Sequence, residues 1–166
     1  GGFAGSGAGG SELLGRLVTF MRKEMARRKA NPGEHRKALI LVDGLAAMRD
    51  EYQDGEGMAL LENFYRVYAD GPSVGMYFAV TTTRAKAVPS QMEDVTTQRW
   101  LLRLADPYDY SIAGIRGPDI PAPDPGRSVF SSTKLQTHIA TPPLGVSAAA
   151  AAIRDKWDHL PTKQPI

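Results

Sequence analysis

The 166-residue chain has no cysteine, which excludes disulfide bonds and cysteine-ligated metal sites. Histidine is scarce too: His35, His138 and His159 are widely spaced and form no His-x-x-x-His pair of the kind that binds zinc. We therefore interpret each histidine as a surface or packing residue. A Gly-x-Ser-x-Gly motif is also missing, so the sequence predicts no serine-hydrolase nucleophile.

Long apolar runs are absent as well. No stretch reaches about 18 to 20 residues, the length that a membrane-spanning helix needs, so we expect no membrane insertion by this segment. The glycine-rich start lacks the basic and apolar regions of a signal peptide. With 42% hydrophobic residues, the chain can still bury a core of its own.

Neither sign of charge is in large excess, because 20 basic residues face 18 acidic ones. The basic residues nevertheless concentrate near the start of the chain, at Arg22, Lys23, Arg27, Arg28, Lys29, Arg36 and Lys37. Such a run is more typical of the solvated end of a helix than of a nucleic-acid surface.

The most informative stretch is the apolar run from Ala38 to Val42, which is followed by Asp43 and Gly44. Five apolar residues without alternation predict a strand of a parallel sheet that is covered on both faces. Asp43 would then lie at the edge of the sheet where α/β folds bind ligands. The structural alternative is that Asp43 and Gly44 only form a turn.

Periodicity and turn residues predict the remaining elements. Ser11 is the expected N-cap of a helix that ends near residue 30, and Thr82, Thr83 and Arg84 follow a second covered strand at 75–81. A helix between the two strands makes a βαβ crossover, so Asp43 and Arg84 should lie near one another. The other predicted elements are a loop at 50–57, helices at 58–69, 89–97 and 148–160, a strand at 100–104, a short helix after Pro107, a loop at 118–125, and a hairpin of 128–130 with 135–139.

Taken in order, these elements resemble one family. The series is a helix, a strand ending Asp-Gly, a helix, a strand ending Thr-Thr-Thr-Arg, then Arg-Trp-Leu-Leu-Arg-Leu-Ala-Asp-Pro-Tyr-Asp-Tyr and Pro-Gly-Arg. It is similar to the FtsK/SpoIIIE P-loop motor ATPases, and among them to the ATPase domains of type VII (ESX) secretion proteins of actinobacteria. The resemblance covers residues 2–139.

The resemblance implies a fold and a division of the chain. The fold is α/β: a partial three-layer α/β/α RecA-like P-loop core, with a mostly parallel sheet and a C-terminal hairpin. Residues 1–140 would be the C-terminal portion of an ATPase domain, and residues 141–166 a linker with a C-terminal helix. The family's phosphate-loop strand would lie between the strands at 75–81 and 100–104, so these two strands should not pair directly.

The same resemblance implies a nucleotide site. Asp43 corresponds to the Walker B aspartate, which holds the magnesium of bound ATP, so Asp43 is the expected metal ligand. Arg84 corresponds to a basic residue that faces the nucleotide, and Arg103 and Arg127 match a later strand and a glycine-arginine loop. With Gly44 beside Asp43, these are the candidate cofactor-binding residues, and no catalytic residue is predicted.

The chain departs from active motors at two places. Gly44 stands where they carry a glutamate that activates water, a contribution typically worth about 10²–10⁴-fold. The phosphate loop Gly-x-x-x-x-Gly-Lys-Ser/Thr is absent from the 166 residues, so ATP and Mg²⁺ are expected only together with a segment that supplies it.

Three functions remain open. The first is part of a motor that couples ATP binding to protein export, at the cytoplasmic side of the membrane, in a hexamer and beside other ATPase domains of the same protein. The second is a degenerate module that hydrolyses no ATP and docks a secreted substrate or a neighbouring domain. The third is DNA translocation, which ranks last because the basic residues sit at one helix end and not along a groove.

Overall fold

The computed structural model describes residues 10–33 and 35–157, which divide into two compact units. The amino-terminal unit runs to Thr97 and the carboxy-terminal unit begins at Gln98. The elements of the first are α1 (Gly10–Ala30), β1 (Ala38–Val42), α2 (Leu45–Tyr52), α3 (Glu56–Asp70), β2 (Met76–Val80) and α4 (Ser90–Glu93). Those of the second are β3 (Trp100–Leu101), α5 (Pro107–Ile112), β4 (Arg127–Phe130), β5 (Gln136–His138) and α6 (Gly145–Trp157). Short 3₁₀ turns cover Gly71–Val74, Ala85–Ala87 and Gly117–Asp119.

Helix α1 confirms the long amphipathic helix predicted from its apolar spacing. It begins at Gly10, one residue before the expected cap, so Ser11 lies within the helix. Val18 and Met21 are buried on its inner face, with Leu17 and Met25 packed against the same core. The backbone N–H of Asn31 donates to the carbonyl of Arg27 and closes the last turn.

Strands β1 and β2 pair in parallel, in a register that runs from Ala38 beside Met76 to Val42 beside Val80. Ile40 and Phe78 point into a core that is shared with α1 and α3. The ring of Phe64 on α3 meets the ring of Phe78 edge-on, with centroids 6.1 Å apart. The described helices α1 and α3 therefore pack on one face of this sheet.

The other face of the sheet is exposed, so the predicted coverage on both faces is wrong for the described residues. Leu39 is 65% and Leu41 72% exposed, and Tyr77 beside Leu39 is also open to solvent. An unbroken apolar run carries no information about which neighbours are present to cover each side. In the part of the chain that the structure describes, only one side has a helical layer.

The predicted acidic loop at 50–57 is also wrong, because most of it is helical. Helix α2 ends at Tyr52 and α3 begins at Glu56. Asp50 and Glu51 lie on the outer face of α2, Asp54 lies in the turn between the helices, and Glu56 begins α3. Leu45 and Tyr52 are buried on the inner face of α2. The turn between the two helices is tight: a Cβ on Gly57 would lie 2.7 Å from the carbonyl oxygen of Tyr52.

The carboxy-terminal unit contains an antiparallel sheet in the order β3-β4-β5, which confirms the predicted hairpin. The predicted strand at 100–104 is shorter than expected because a side chain takes its backbone partners. The hydroxyl of Tyr110 donates to the carbonyl of Leu102 and accepts from the N–H of Leu104, each at 3.0 Å. Strands β2 and β3 belong to different sheets, as the strand order implied by the resemblance requires.

Both tryptophans of the chain are exposed. Trp100 is 60% exposed and lies edge-on against Phe130, with ring centroids 5.0 Å apart. Trp157, the last residue of α6, is exposed, as is Ile153 on the same helix. Residues 158–160 of the helix predicted at 148–160 lie outside the described residues.

One member of the basic cluster is a buried structural residue and not a solvated charge. The side chain of Arg28 is only 7% exposed, and its Nη1 donates to the carbonyl of Val74 at 3.0 Å. Its Nε donates to Glu24 Oε1 at 2.7 Å, and Arg27 binds the same carboxylate. Hydrogen bonds from Arg27 and Arg28 lower the pKa of Glu24 from 4.5 to about 2. The Glu24–Arg28 pair therefore joins α1 to the turn before β2.

Replacing Glu24 by alanine should lower the free energy of unfolding by about 1–3 kcal/mol, because the buried guanidinium of Arg28 loses its carboxylate partner. The matched control is Glu12→Ala, which removes the exposed i,i+4 pair between Glu12 and Arg16 and should cost less than about 0.5 kcal/mol. Urea denaturation of the two variants measures both effects. Equal losses would show that Arg28 does not depend on Glu24.

The same pair should make stability depend on pH. Because folding lowers the pKa of Glu24 to about 2, its stabilising effect is complete above the unfolded value of 4.5 and is lost as the pH falls toward 2. The difference in unfolding free energy between the parent chain and Glu24→Ala should shrink across that window. Denaturation curves recorded at several pH values give this difference, and a constant difference would contradict the assignment.

Candidate functional site

The carboxyl ends of β1 and β2 form one edge of the parallel sheet, and a threonine hydroxyl links them there. Thr81 Oγ1 donates to Asp43 Oδ1 at 2.5 Å and accepts from the backbone N–H of Gly44 at 3.0 Å. Thr81 directly follows β2, as Asp43 directly follows β1. The bridge fixes the backbone at the one position where the sheet turns into helix α2.

Helix α2 begins immediately after this bridge. Gly44 has a φ of 83° and a ψ of 51°, in the left-handed region, and the N–H of Leu45 donates to the carbonyl of Thr81 at 2.9 Å. Leu45 is completely buried, which holds the start of the helix against the core. A side chain at position 44 would be strained by about 1–2 kcal/mol, so the local backbone favours glycine.

Arg84 lies on the loop after β2 but its partner is not Asp43. Its Nη2 forms a salt bridge with Asp50 Oδ2 on α2 at 2.5 Å, and both side chains are more than half exposed. On the same helix, Arg49 donates to the carbonyl of Ala87 at 2.6 Å. The loop after β2 is thus attached to α2, and Arg84 takes part in that attachment.

Arg103 and Arg127 belong to the carboxy-terminal unit, and both are exposed. Arg127 is the first residue of β4, opposite His138. The preceding Gly126 has a φ of 79°, and a Cβ there would lie 2.4 Å from the carbonyl oxygen of Ile139. The predicted glycine-arginine turn therefore requires its glycine for structural reasons, and the nucleotide role of both arginines stays a prediction.

The residues of the sheet edge do not by themselves fit Mg²⁺-ATP. No group of three or more His, Asp or Glu side chains able to hold a metal occurs among the described residues. Asp43 offers one carboxylate, which suits a magnesium ion only when phosphates and water supply the other ligands. The sequence has no phosphate loop whose backbone amides and lysine would hold those phosphates.

Thr81 is the site residue that sequence reasoning missed. Three consecutive threonines follow Val80, and the sequence prediction assigns Thr81 to the strand and only Thr82 and Thr83 to its polar end. Their spacing cannot show which hydroxyl meets Asp43, because that depends on the register of the two strands. In the observed register Val42 lies beside Val80, which brings the following residues, Asp43 and Thr81, together.

Comparison with known proteins agrees with the fold and the order of motifs. No family model matches the chain. It is 28% identical over 128 residues to the ESX-4 secretion system protein EccC4 of Mycobacterium tuberculosis, covering 77% of this chain and 10% of that protein. It is 23% identical over 160 residues to the ESX secretion system protein EccC of Thermomonospora curvata, covering 90% of this chain and 12% of that protein.

A solved structure shares the architecture. EssC (ATPases 2 and 3) from Geobacillus thermodenitrificans superposes with a TM-score of 0.74 at 17% identity, covering 92% of this chain and 33% of that one. The chain resembles a type VII secretion ATPase domain. Both the FtsK/SpoIIIE-type resemblance and the α/β fold class read from the sequence are thereby confirmed.

The extent of these matches limits which properties of the relatives can be assigned to this chain. The chain spans about a tenth of the length of the curated relatives, so the activity and partners of a whole secretion protein are not established for it. At 17% identity the solved structure is evidence for the fold alone. Among the described residues, no helix is both long enough and apolar enough to span a bilayer.

Removing the hydroxyl in Thr81→Val should destabilise the domain by about 0.5–1.5 kcal/mol, because the N–H of Gly44 and the carboxylate of Asp43 both exchange an exposed hydrogen bond to the protein for one to water. Asp43→Asn should change stability by less than about 1 kcal/mol, since an amide oxygen still accepts from Thr81. Thr83→Val serves as the matched control on the same loop. Chemical denaturation without nucleotide ranks the variants, and a larger loss for Asp43→Asn than for Thr81→Val would refute the bridge.

Proposed function

We propose that this chain is a non-hydrolysing ATPase-like module of a type VII secretion protein, which acts in protein export by docking a neighbouring domain or a secreted substrate. The observation that carries the proposal is the left-handed backbone at Gly44. Active motors of the resembling family place a glutamate after the Walker B aspartate. Here that position is occupied by a glycine whose conformation an L side chain rarely adopts.

The hydrogen bonds around Gly44 depend on its left-handed backbone, so a glutamate at this position would disturb the structure. The N–H of Gly44 is bound by Thr81 Oγ1, and its carbonyl accepts from the N–H of Met48 in the first turn of α2. A side chain that forced φ to negative values would disturb both bonds and the helix start. The glycine therefore has a structural role in this domain, in addition to leaving the position without a carboxylate.

A second candidate is the nucleotide-binding portion of a motor whose phosphate loop is supplied by another segment. The exposed carboxylate of Asp43, held in place by Thr81, favours it. In that case Asp43 would bind the magnesium ion of ATP. ATP bound without hydrolysis would then indicate that the domain has assembled with other ATPase domains of the same protein. Arg84 and the arginines of the carboxy-terminal unit, Arg103 and Arg127, would be candidates for contacts with phosphate.

DNA translocation is disfavoured by how the basic cluster is used. Arg28 is buried against the turn before β2, and Arg27 binds the carboxylate of Glu24 on the same helix. Neither guanidinium is then unpaired for a phosphate backbone, which needs cations along an extended track. We therefore place the module in protein export, with a hexamer of the complete protein at the cytoplasmic side of the membrane as its proposed setting.

The 166-residue chain should hydrolyse no ATP above background, because the phosphate loop and the catalytic acid are both missing. Gly44→Glu should not restore turnover, since the added carboxylate sits on a strained backbone without a phosphate cradle. A coupled phosphate-release assay measures both proteins. Turnover that Asp43→Asn abolishes would overturn the proposal.

Nucleotide binding separates the two candidates. The chain alone should show no micromolar affinity for Mg²⁺-ATP in titration calorimetry. If a longer stretch of the parent protein that includes a phosphate loop binds Mg²⁺-ATP, and Asp43→Ala abolishes that binding, the second candidate is supported. Binding that is unaffected by Asp43→Ala would refute it.

A further inference from the structure

A basic groove lies at the amino-terminal edge of the β1–β2 sheet, at the opposite end of the strands from Asp43. It has a volume of about 700 Å³. The end of α1, the segment before β1 and the turn before β2 all contribute to its walls. Its charged residues are Arg28, Lys29 and Lys37, and its apolar walls include Pro32 and Val74. We call this the basic groove.

The cations of the basic groove differ in how firmly they are held. Arg28 is held in place because its Nε donates to Glu24 and its Nη1 donates to the carbonyls of Val74 and Gly75. Lys29 makes only an exposed pair with Asp70, a contact typically worth little, so an incoming carboxylate can replace it. Lys37 extends over the ring of Tyr77, with its Nζ 5.9 Å from the centroid. The groove therefore combines one rigid guanidinium with two accessible ammonium groups.

Little in the described part of the groove competes with an anion. None of the described lining residues is acidic, and Glu34, in the same segment, lies outside the described residues. The carboxylate of Glu24 is already bound by Arg27 and Arg28. The carbonyls at the end of α1 would oppose an anion, but Asn31 binds the carbonyl of Arg27 through both its backbone and side-chain N–H groups.

Two donors in the turn before β2 are already used within the protein, which argues against a dedicated phosphate site there. The N–H of Gly75 already donates to the carbonyl of Pro72, and the hydroxyl of Ser73 donates to the carbonyl of Asp70. Phosphate sites in proteins typically use a row of free backbone amides. Ammonium groups above apolar walls suit instead a chain of carboxylates separated by aliphatic carbons.

We propose that the basic groove binds an acidic peptide segment of a partner protein. Carboxylates of the peptide would pair with Lys29 and Lys37 and displace Asp70 from Lys29, while aliphatic carbons would lie on Pro32 and Val74. A nucleic acid fits less well, because its phosphates need cations along an extended track, whereas the accessible cations among the described lining residues are Lys29 and Lys37. The inference rests on the proposed docking role and gives that role a surface and a partner chemistry.

The test is fluorescence anisotropy with the full 166-residue chain and a labelled peptide of alternating glutamate and alanine. The double variant Lys29→Gln/Lys37→Gln should weaken binding about tenfold, since each contributes an exposed charge pair. Arg28 stays unchanged because it supports the fold. The matched control, Arg154→Gln/Lys156→Gln, removes the same charge from the exposed end of α6 and should leave affinity within about twofold. Thermal melts of both variants confirm that each is folded.

Each outcome decides the proposal. Loss of affinity in the groove variant alone supports it, and equal loss in both variants shows general electrostatic attraction and overturns it. Displacement of the peptide by millimolar inorganic phosphate would show a small-anion site, and tighter binding of a short DNA duplex through the same lysines would show a nucleic-acid surface; either result overturns it. Because peptide binding is measured without nucleotide, failure here leaves the absence of hydrolysis untouched, and hydrolysis would leave the groove result standing.

Discussion

The parallel pairing of β1 with β2 is the constraint on which the rest of the amino-terminal unit depends. Its register places Val42 beside Val80, and this single fact decides what meets at each end of the sheet. At the carboxyl end it brings Asp43 to Thr81, and at the amino end it brings the segment before β1 to the turn that Arg28 holds. A shift of one residue would turn the core side chains to the open face and separate both sets of contacts.

Gly44 shows how a departure from a family pattern becomes part of a fold. In an active motor the residue after the Walker B aspartate does chemistry, so its backbone must allow a side chain. In this chain the same residue adopts a left-handed conformation, accepts the first hydrogen bond of α2 and donates to Thr81. The position has a structural task that glycine performs best. The proposed loss of catalysis is therefore compatible with the ATPase-like fold.

The open face of the sheet and the basic groove are two surfaces of the domain that are available for binding a partner. Leu39 and Leu41 would each gain from burial, because covering an apolar side chain is worth about 1.5–3 kcal/mol. The three-layer fold implied by the resemblance would place a second helical layer on that side. The basic groove, at the amino-terminal edge of the sheet, is charged and not apolar: its lysines are accessible, and Arg28 fixes its shape.

The sequence by itself determined the α/β class, the two parallel strands, the long first helix, the final hairpin and the family resemblance. These follow from local periodicity and from the order of motifs, which do not need distant contacts. It could not show that residues 50–57 are mostly helical, because the acidic outer face of α2 has the composition of a loop. Nor could it show the short β3, which ends where the Tyr110 hydroxyl takes the backbone partners of Leu102 and Leu104.

Only tertiary structure decided that Arg84 pairs with Asp50, that Thr81 holds Asp43, and that Arg28 is buried while Trp100 is not. Each of these depends on which residues the strand register and the helix packing bring together, and residue type and spacing along the chain do not contain that information.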